Sequence, residues 1–399
     1  MYYIRTSHPK ENSLRGVSVI GIGMTSFGSS SESIISLASN ACKLSLQDAR
    51  IDQRKIDAFY LGNFAGESFS GQNHLAPLIS NILGLNLVPC TRVEGACASG
   101  GLALRQGIMA IKSGEADIVM VCGVEKMTNV NNHRVNSILS SAGDTFQENS
   151  MGISFASLFA FITQRYLYEN NITREELSLI PVKNHSHGIL NEKAHIRKKI
   201  TKDDVLKSRR ISGPIGLLDC SPVSDGSASV ILCGSEIAHD MHSKPISILA
   251  STQSSDLVSL IEKNSITSFE ATRKAADSAF NISGLERSDI DLVELHDCFT
   301  VAEPIALEDM GFFKKGKGWR GALEGMTLLG GSMPVNTSGG LKSKGHPVGA
   351  TGLAQIYELI LQLRNSAGER QVPDARYALS QNMGGLGATC SIHILGKME

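Results

Sequence analysis

The chain is short of the features that would place it outside the ordinary globular proteins. Its eight cysteines (Cys42, Cys90, Cys97, Cys122, Cys220, Cys233, Cys298 and Cys390) form no C-x-x-C pair and no dense cluster, which points to reduced thiols and a cytoplasmic protein rather than a disulfide framework. No apolar run approaches the ~18 residues of a membrane span, and the stretch Met1–Gly16 carries charges and Pro9 instead of a signal-peptide core. The C-terminal Gly-Lys-Met-Glu is not a peroxisomal address. Neither charge sign dominates: 38 Lys+Arg face 39 Asp+Glu, so no global field recruits nucleic acid or an anionic membrane. Aromatics make up only 5% and Pro only 11 residues, against 39 Gly. With 399 residues the chain can bury one large core or two packed halves.

Short β-branched runs recur ahead of helical stretches, at Val17–Ile20, Asp57–Leu61, Asp117–Val121, Ser229–Leu232, Ile246–Leu249, Asp291–Leu295 and Ala378–Leu379. That alternation predicts a layered α/β fold. Between Lys126 and Pro214 the texture turns to Asn, Ser, His and Lys without a strand period, which reads as an inserted loop or cap domain. An internal echo is also present. Cys97-Ala-Ser-Gly-Gly-Leu-Ala followed by a helical stretch parallels His346-Pro-Val-Gly-Ala-Thr-Gly-Leu-Ala, and two strand segments repeat in the same order, as in a duplicated βαβ architecture.

Cys97 precedes a helical pattern at Leu102–Lys112 and sits among small residues. A helix N-terminus favours the thiolate, and accessible N–H groups there can hold an oxyanion; the plain alternative is a buried structural cysteine. His346 precedes the helical pattern Leu353–Leu363 and takes the place in the second half that Cys97 takes in the first. An imidazole brought beside a thiol can activate it, although Gly and Pro here could simply shape a turn. Glu294-Leu-His-Asp-Cys-Phe299 closes a strand at its carboxyl end, where open α/β sheets place ligands. His296 would be a donor there and Cys298 a proton carrier, or the pair could be packing residues. The run Gln381–Gly387 offers backbone N–H groups or a plain turn. His185-Ser-His187 has no nearby Cys or carboxylate partner and reads as solvated cap surface, so no metal is expected. Gly21-Ile-Gly23 lacks the third glycine of a dinucleotide fingerprint, since Ser26 stands there.

Taken in order, Gly21–Gly28, Val93–Gly101, Val182-Lys-Asn-His185, Leu217–Gly226, Val293–Thr300, Lys344–Gly352 and Asn382-Met-Gly-Gly385 resemble the thiolases, most of all the archaeal-type acetoacetyl-CoA thiolases and their sterol-carrier-protein-type relatives. The resemblance implies a five-layered α/β/α/β/α fold of two similar halves, with residues 1–125 and 215–245 as the first, 126–214 as the inserted cap and 246–399 as the second. It implies acetyl-CoA C-acetyltransfer through an acyl-Cys97 thioester, with His346 activating the thiol and His346 and His296 polarising the incoming thioester. Cys298 would move the α-proton, and the N–H groups of Cys97 and Gly384 would form a second oxyanion hole. The commonest thiolases carry Asn-Glu-Ala-Phe where this chain has His296-Asp-Cys-Phe299, and a cysteine where it has Asn382. The second thiol is therefore relocated to Cys298, while Cys390 lies too far along the last strand.

Coenzyme A would be a substrate, with no permanently bound cofactor. The segment Lys193–Arg210 holds eight Lys/Arg against two Asp; with Arg209 and Arg210 it could meet the nucleotide end, and Cys220, Ser221, Val223 and Lys344 are further candidate contacts. Longer or unusual acyl groups, or a non-catalytic acyl-CoA-binding scaffold, are the alternatives. A homodimer or dimer of dimers, a zinc-ribbon/OB-fold partner and HMG-CoA synthase are partners that the resemblance implies, in lipid or isoprenoid precursor metabolism. No sterol-carrier domain is expected after Glu399.

Overall fold

The computed structural model describes residues 15–398, so the expectation of no signal stretch at Met1–Gly16 falls almost wholly outside it, as does Glu399. The strands are β1 (Val17–Met24), β2 (Ala58–Gly62), β3 (Cys90–Val93), β4 (Ile118–Glu125), β5 (Arg210–Ser212), β6 (Ile215–Gly216), β7 (Gly226–Gly234), β8 (Ile246–Ser255), β9 (Leu292–Glu294), β10 (Tyr377–Gly384) and β11 (Thr389–Lys397). Nine of them are hydrogen-bonded in the order β3-β2-β4-β7-β1-β8-β11-β10-β9. Each strand expected from the sequence has its counterpart. The short edge strand β3, with Arg92 in it, gave no apolar signal.

The order divides into two half-sheets that meet at β1 and β8, where only Ser18↔Ser247 and Val19↔Ile246 pair. Side chains alternate across the strands. On β4, Val119 and Val121 enter an inner core, whereas Ile118, Met120, Cys122 and Val124 enter an outer one. The inner core holds the helices Ser99–Lys112 and Thr351–Leu363 between strands of both halves. Leu353, Ile356, Leu359 and Ile360 follow helical spacing and are buried there, each contributing roughly 1.5–3 kcal/mol. Helices Ile34–Ala49 and Leu75–Ile82 cover the outer face of the first half, and Glu270–Ser283 and Ala302–Asp309 cover that of the second. The result is an α/β/α/β/α stack.

The echoed glycines explain how the two central helices approach. A Cβ on Gly352 would stand 2.3 Å from Asn382 Oδ1 and 2.4 Å from the Gly101 nitrogen, and one on Gly100 would stand 2.8 Å from the Gly349 carbonyl oxygen. Neither backbone partner can yield without shifting a helix N-terminus. Gly352→Ala is therefore expected to lose about 1–3 kcal/mol of unfolding free energy, read by chemical denaturation; wild-type stability would mean that the helices are not in register through these glycines.

Residues 126–214 are mostly helical, with helices Asn132–Ser140, Phe155–Asn170, Arg174–Leu177, Leu179–Ile189 and Lys202–Lys207. Thr173 and Thr201 open two of these with reciprocal capping boxes. The β5–β6 hairpin runs across position 214, tying the insertion to the segment that leads into β7. The reading of His185 and His187 as solvated surface is corrected: both are buried. His185 Nδ1 lies 3.1 Å from the Lys198 carbonyl, and His187 bridges the Asn336 carbonyl and the Leu329 N–H. Beside them Lys183 pairs with Glu303 at 2.6 Å, fully buried. The polar run at residues 183–187 belongs to an internal network, whereas the basic stretch around residues 197–210 is largely exposed. Among the described residues no helix is long and apolar enough to cross a membrane.

Candidate active site

Cys97 lies in a single turn, Ala96–Ala98, that leads straight into the helix Ser99–Lys112. The entry is tight. Ala96 takes φ 52°, left-handed for a residue with a Cβ. The Ala96 N–H donates to Glu94 Oε1 at 2.6 Å, and the Ser99 hydroxyl donates to the Ala96 carbonyl at 2.6 Å. Held this way, the thiol faces the N–H groups of Gly385 and of Cys97 itself. Gly384, the expected second donor, lies in β10 opposite Thr389 and close to the Gly95 carbonyl; Gly385, one residue on at φ 59°, lines the cavity.

His346 reaches Cys97 from the matching turn of the second half. Its Nδ1 lies 2.6 Å from Thr351 Oγ1, and that hydroxyl donates to the Pro347 carbonyl at 3.1 Å. A hydroxyl has one hydrogen to give. Nδ1–H is therefore the donor to Thr351, leaving Nε2 as a bare acceptor that can take a thiol proton. The His296 ring meets that of His346 edge to face, with centroids 4.8 Å apart and planes at 82°. Behind it, Asp297 is buried and bound by Lys342 at 2.6 Å, the Asn184 amide at 2.7 Å and the Leu341 N–H at 2.7 Å. This fixes the turn that carries His296 and Cys298.

Burial sets the resting protonation. It pushes the Cys97 thiol up to about 12, with Glu125 adding to the rise against the two N–H groups, and raises Cys298 well above its ordinary value, with Cys97 and Asp297 adding to the shift. Desolvation lowers His346 well below the usual imidazole range and takes His296 down to about 3, helped by Lys342 and Lys344. The resting site thus holds neutral thiols and neutral imidazoles. Charge appears only when a substrate supplies somewhere for it to go.

Cys97, Cys298 and His346 open on one cavity of about 450 Å³. Cys220, Ser221, Val223 and Arg209 line it as well, with Phe64, Leu139 and Phe155 among its apolar walls. Lys344, expected beside coenzyme A, is buried and paired with Glu294 at 3.3 Å. Arg210 is exposed and does not line the cavity. Reading the sequence also missed Thr351 and Gly385. The Cys97 sulfur and ring nitrogens of His296 and His346 lie within 4.8 Å of one another, a composition that zinc accepts. A cation there would occupy the thiol and the acceptor nitrogen that proton transfer needs.

A duplicated α/β stack that brings a thiol from one half against an imidazole from the other, with a second thiol on the same cavity, defines an enzyme of nucleophilic thiol chemistry. The comparisons with known proteins narrow the class. The N-terminal domain of thiolases matches residues 17–236 and the thiolase C-terminal domain-like family matches residues 252–397. The chain belongs to the thiolase family. It is 43% identical to an acetyl-CoA acetyltransferase of Methanothermobacter thermautotrophicus over 96% of this chain and 100% of that protein. It is 36% identical to sterol carrier protein 2 of Gallus gallus, over 93% of this chain and 70% of that one. Among solved structures, the Ltp2-ChsH2(DUF35) aldolase superposes with a TM-score of 0.84 at 25% identity, covering 96% of this chain and 99% of that one.

Proposed function

We propose that the chain is an acetyl-CoA C-acetyltransferase that makes and cleaves acetoacetyl-CoA. The observation that carries the reading is two thiols, Cys97 and Cys298, on one cavity with an imidazole whose acceptor nitrogen is free. Cys97 attacks the acetyl-CoA carbonyl as His346 Nε2 takes its proton, and the N–H groups of Cys97 and Gly385 hold the oxyanion. Coenzyme A leaves with that proton, and Cys97 carries the acetyl group as a thioester. A second acetyl-CoA then presents its thioester oxygen to His296 and His346. Cys298 passes its proton to the neutral His346 and, as thiolate, removes the α-proton; the enolate carbon attacks the acetyl-Cys97 carbonyl and expels the Cys97 thiolate, which takes the proton held by His346, so that both thiols and the imidazole end neutral. Thiolysis is the reverse.

In this reading coenzyme A lies along Cys220, Ser221 and Val223 with Arg209 toward its phosphates. The homology to archaeal acetyltransferases supports the acetyl group as substrate, and the apolar walls leave room for longer acyl chains as a second activity. The exposed edge strand β3, with Leu87 fully exposed beside it, supports a homodimer or dimer of dimers. The likeness to the Ltp2-ChsH2(DUF35) aldolase supports a second protein as partner, which we take to be of the zinc-ribbon/OB-fold kind; HMG-CoA synthase and a cytoplasmic place in lipid or isoprenoid precursor supply complete the proposal. The test is thiolysis of acetoacetyl-CoA by free coenzyme A with purified protein, read as loss of substrate absorbance. Turnover is expected; none from folded protein, with acetoacetyl-CoA or with longer 3-ketoacyl-CoA, would overturn the reading.

A further inference from the structure

Asn382 stands where the commonest thiolases carry a cysteine, and nothing in the reaction above uses it. Its amide is nevertheless fully engaged and nearly fully buried. The Gly101 N–H donates to Asn382 Oδ1 at 3.1 Å, while Asn382 Nδ2 donates to the Cys97 carbonyl at 3.0 Å and lies 3.3 Å from His296 Nδ1. A backbone N–H can only donate and a carbonyl can only accept, so these two partners fix which end of the amide is oxygen. The end facing His296 is therefore the NH₂ group. His296 Nδ1 must accept from it, and in a neutral ring the one hydrogen is then on Nε2.

We infer that Asn382 is the positioning residue that sets the tautomer of His296, holding its Nε2–H ready to donate to the thioester oxygen of the second acetyl-CoA. This rests on the proposed role of His296 in that reaction. The two imidazoles of the site are thereby given opposite tautomers by their neighbours. Thr351 leaves His346 Nε2 bare to take a proton, and Asn382 leaves His296 Nε2 protonated to give a hydrogen bond. The same amide ties His296 to the Cys97 carbonyl and to the helix behind the nucleophile, so donor and nucleophile are registered by one side chain. Burial keeps His296 neutral in the working range, which makes the choice of tautomer decide whether it can donate at all.

The first test needs no variant. With ¹⁵N-labelled histidine and His296→Gln to assign the signal, the His296 Nδ1 resonance of the wild-type protein is expected in the unprotonated range; a protonated Nδ1 would overturn the proposal. This readout is independent of turnover, so it stands even if the proposed activity fails. The second test is Asn382→Asp, followed by α-proton exchange of acetyl-CoA and, separately, acetylation of Cys97. The carboxylate would draw the ring hydrogen onto Nδ1 and leave Nε2 bare. Exchange is expected to fall roughly 10²–10³-fold at pH 8, the loss seen on removing one oxyanion donor, with acetylation reduced less. The groups facing this pair are Cys97, His346, Lys342, Lys344 and Asp297, all unchanged in the variant. Adding a proton to the Asp–His pair restores Nε2–H, so the variant-to-wild-type ratio is expected to rise as pH falls. A purely structural role would give a ratio constant with pH, and that result would overturn the assignment.

Discussion

Replacing Cys97 by alanine is expected to bring thiolysis of acetoacetyl-CoA down to background, a loss of at least roughly 10⁵-fold, as for removal of a covalent nucleophile elsewhere. No other thiol can substitute. Cys220 and Cys298 are on the same cavity but stand outside the turn Ala96–Ala98, whose N–H at Cys97 helps hold the oxyanion. The turn itself does not depend on the sulfur, since Glu94 and Ser99 tie its backbone, so the variant should fold and still bind coenzyme A. Mass spectrometry after acetyl-CoA treatment should show no acetyl adduct. An adduct at another cysteine with turnover retained would remove Cys97 from the centre of the mechanism.

Cys298→Ala is expected to separate the two half-reactions. Acetylation of Cys97 needs Cys97, His346 and the Gly385 N–H and makes no use of the Cys298 side chain, so the acetyl-enzyme should accumulate. Removal of the α-proton loses its base, and condensation and α-proton exchange should fall about 10²–10⁴-fold. The raised value of this buried thiol fits a group that must hold a proton firmly between steps and release it only beside a stabilised enolate. Equal loss of both half-reactions in the two variants would overturn the division of labour between the sulfurs.

Cys97 and His346 were legible because each sits before a helix in a repeated glycine-rich turn, and duplication places such turns at a shared boundary. His296 and Cys298 were legible from their place at the carboxyl end of a strand. Asn382 showed in the sequence only as a departure, because its role depends on β10 crossing to Cys97, 285 positions away. His185 and His187 were misjudged for a related reason. Polar residues look solvated when their partners lie far along the chain: those of His187, the Asn336 carbonyl and the Leu329 N–H, and those of the adjoining Lys183 and Asn184, Glu303 and Asp297, lie more than a hundred positions downstream, and His185 is buried with them although its own partner, the Lys198 carbonyl, is close in sequence. Lys344 was judged by its neighbour His346, but its charge is answered inside the protein by Glu294.

The meeting of the two central helices at Gly100, Gly101 and Gly352 has a consequence for how this protein can change over evolutionary time. Main chain lies directly against main chain at Gly100 and Gly352, while Gly101 is closed off by the side chains of Ser391 and Asn382. The separation of nucleophile and imidazole is thus gauged by peptide bonds, not by the shapes of Leu, Ile and Val in the layers around them. Aliphatic residues of the inner core can be exchanged through many generations, at some expense in stability, while the two reacting groups keep their spacing. Divergence is tolerated in the bulk of the stack and held back at three positions that carry no side chain at all.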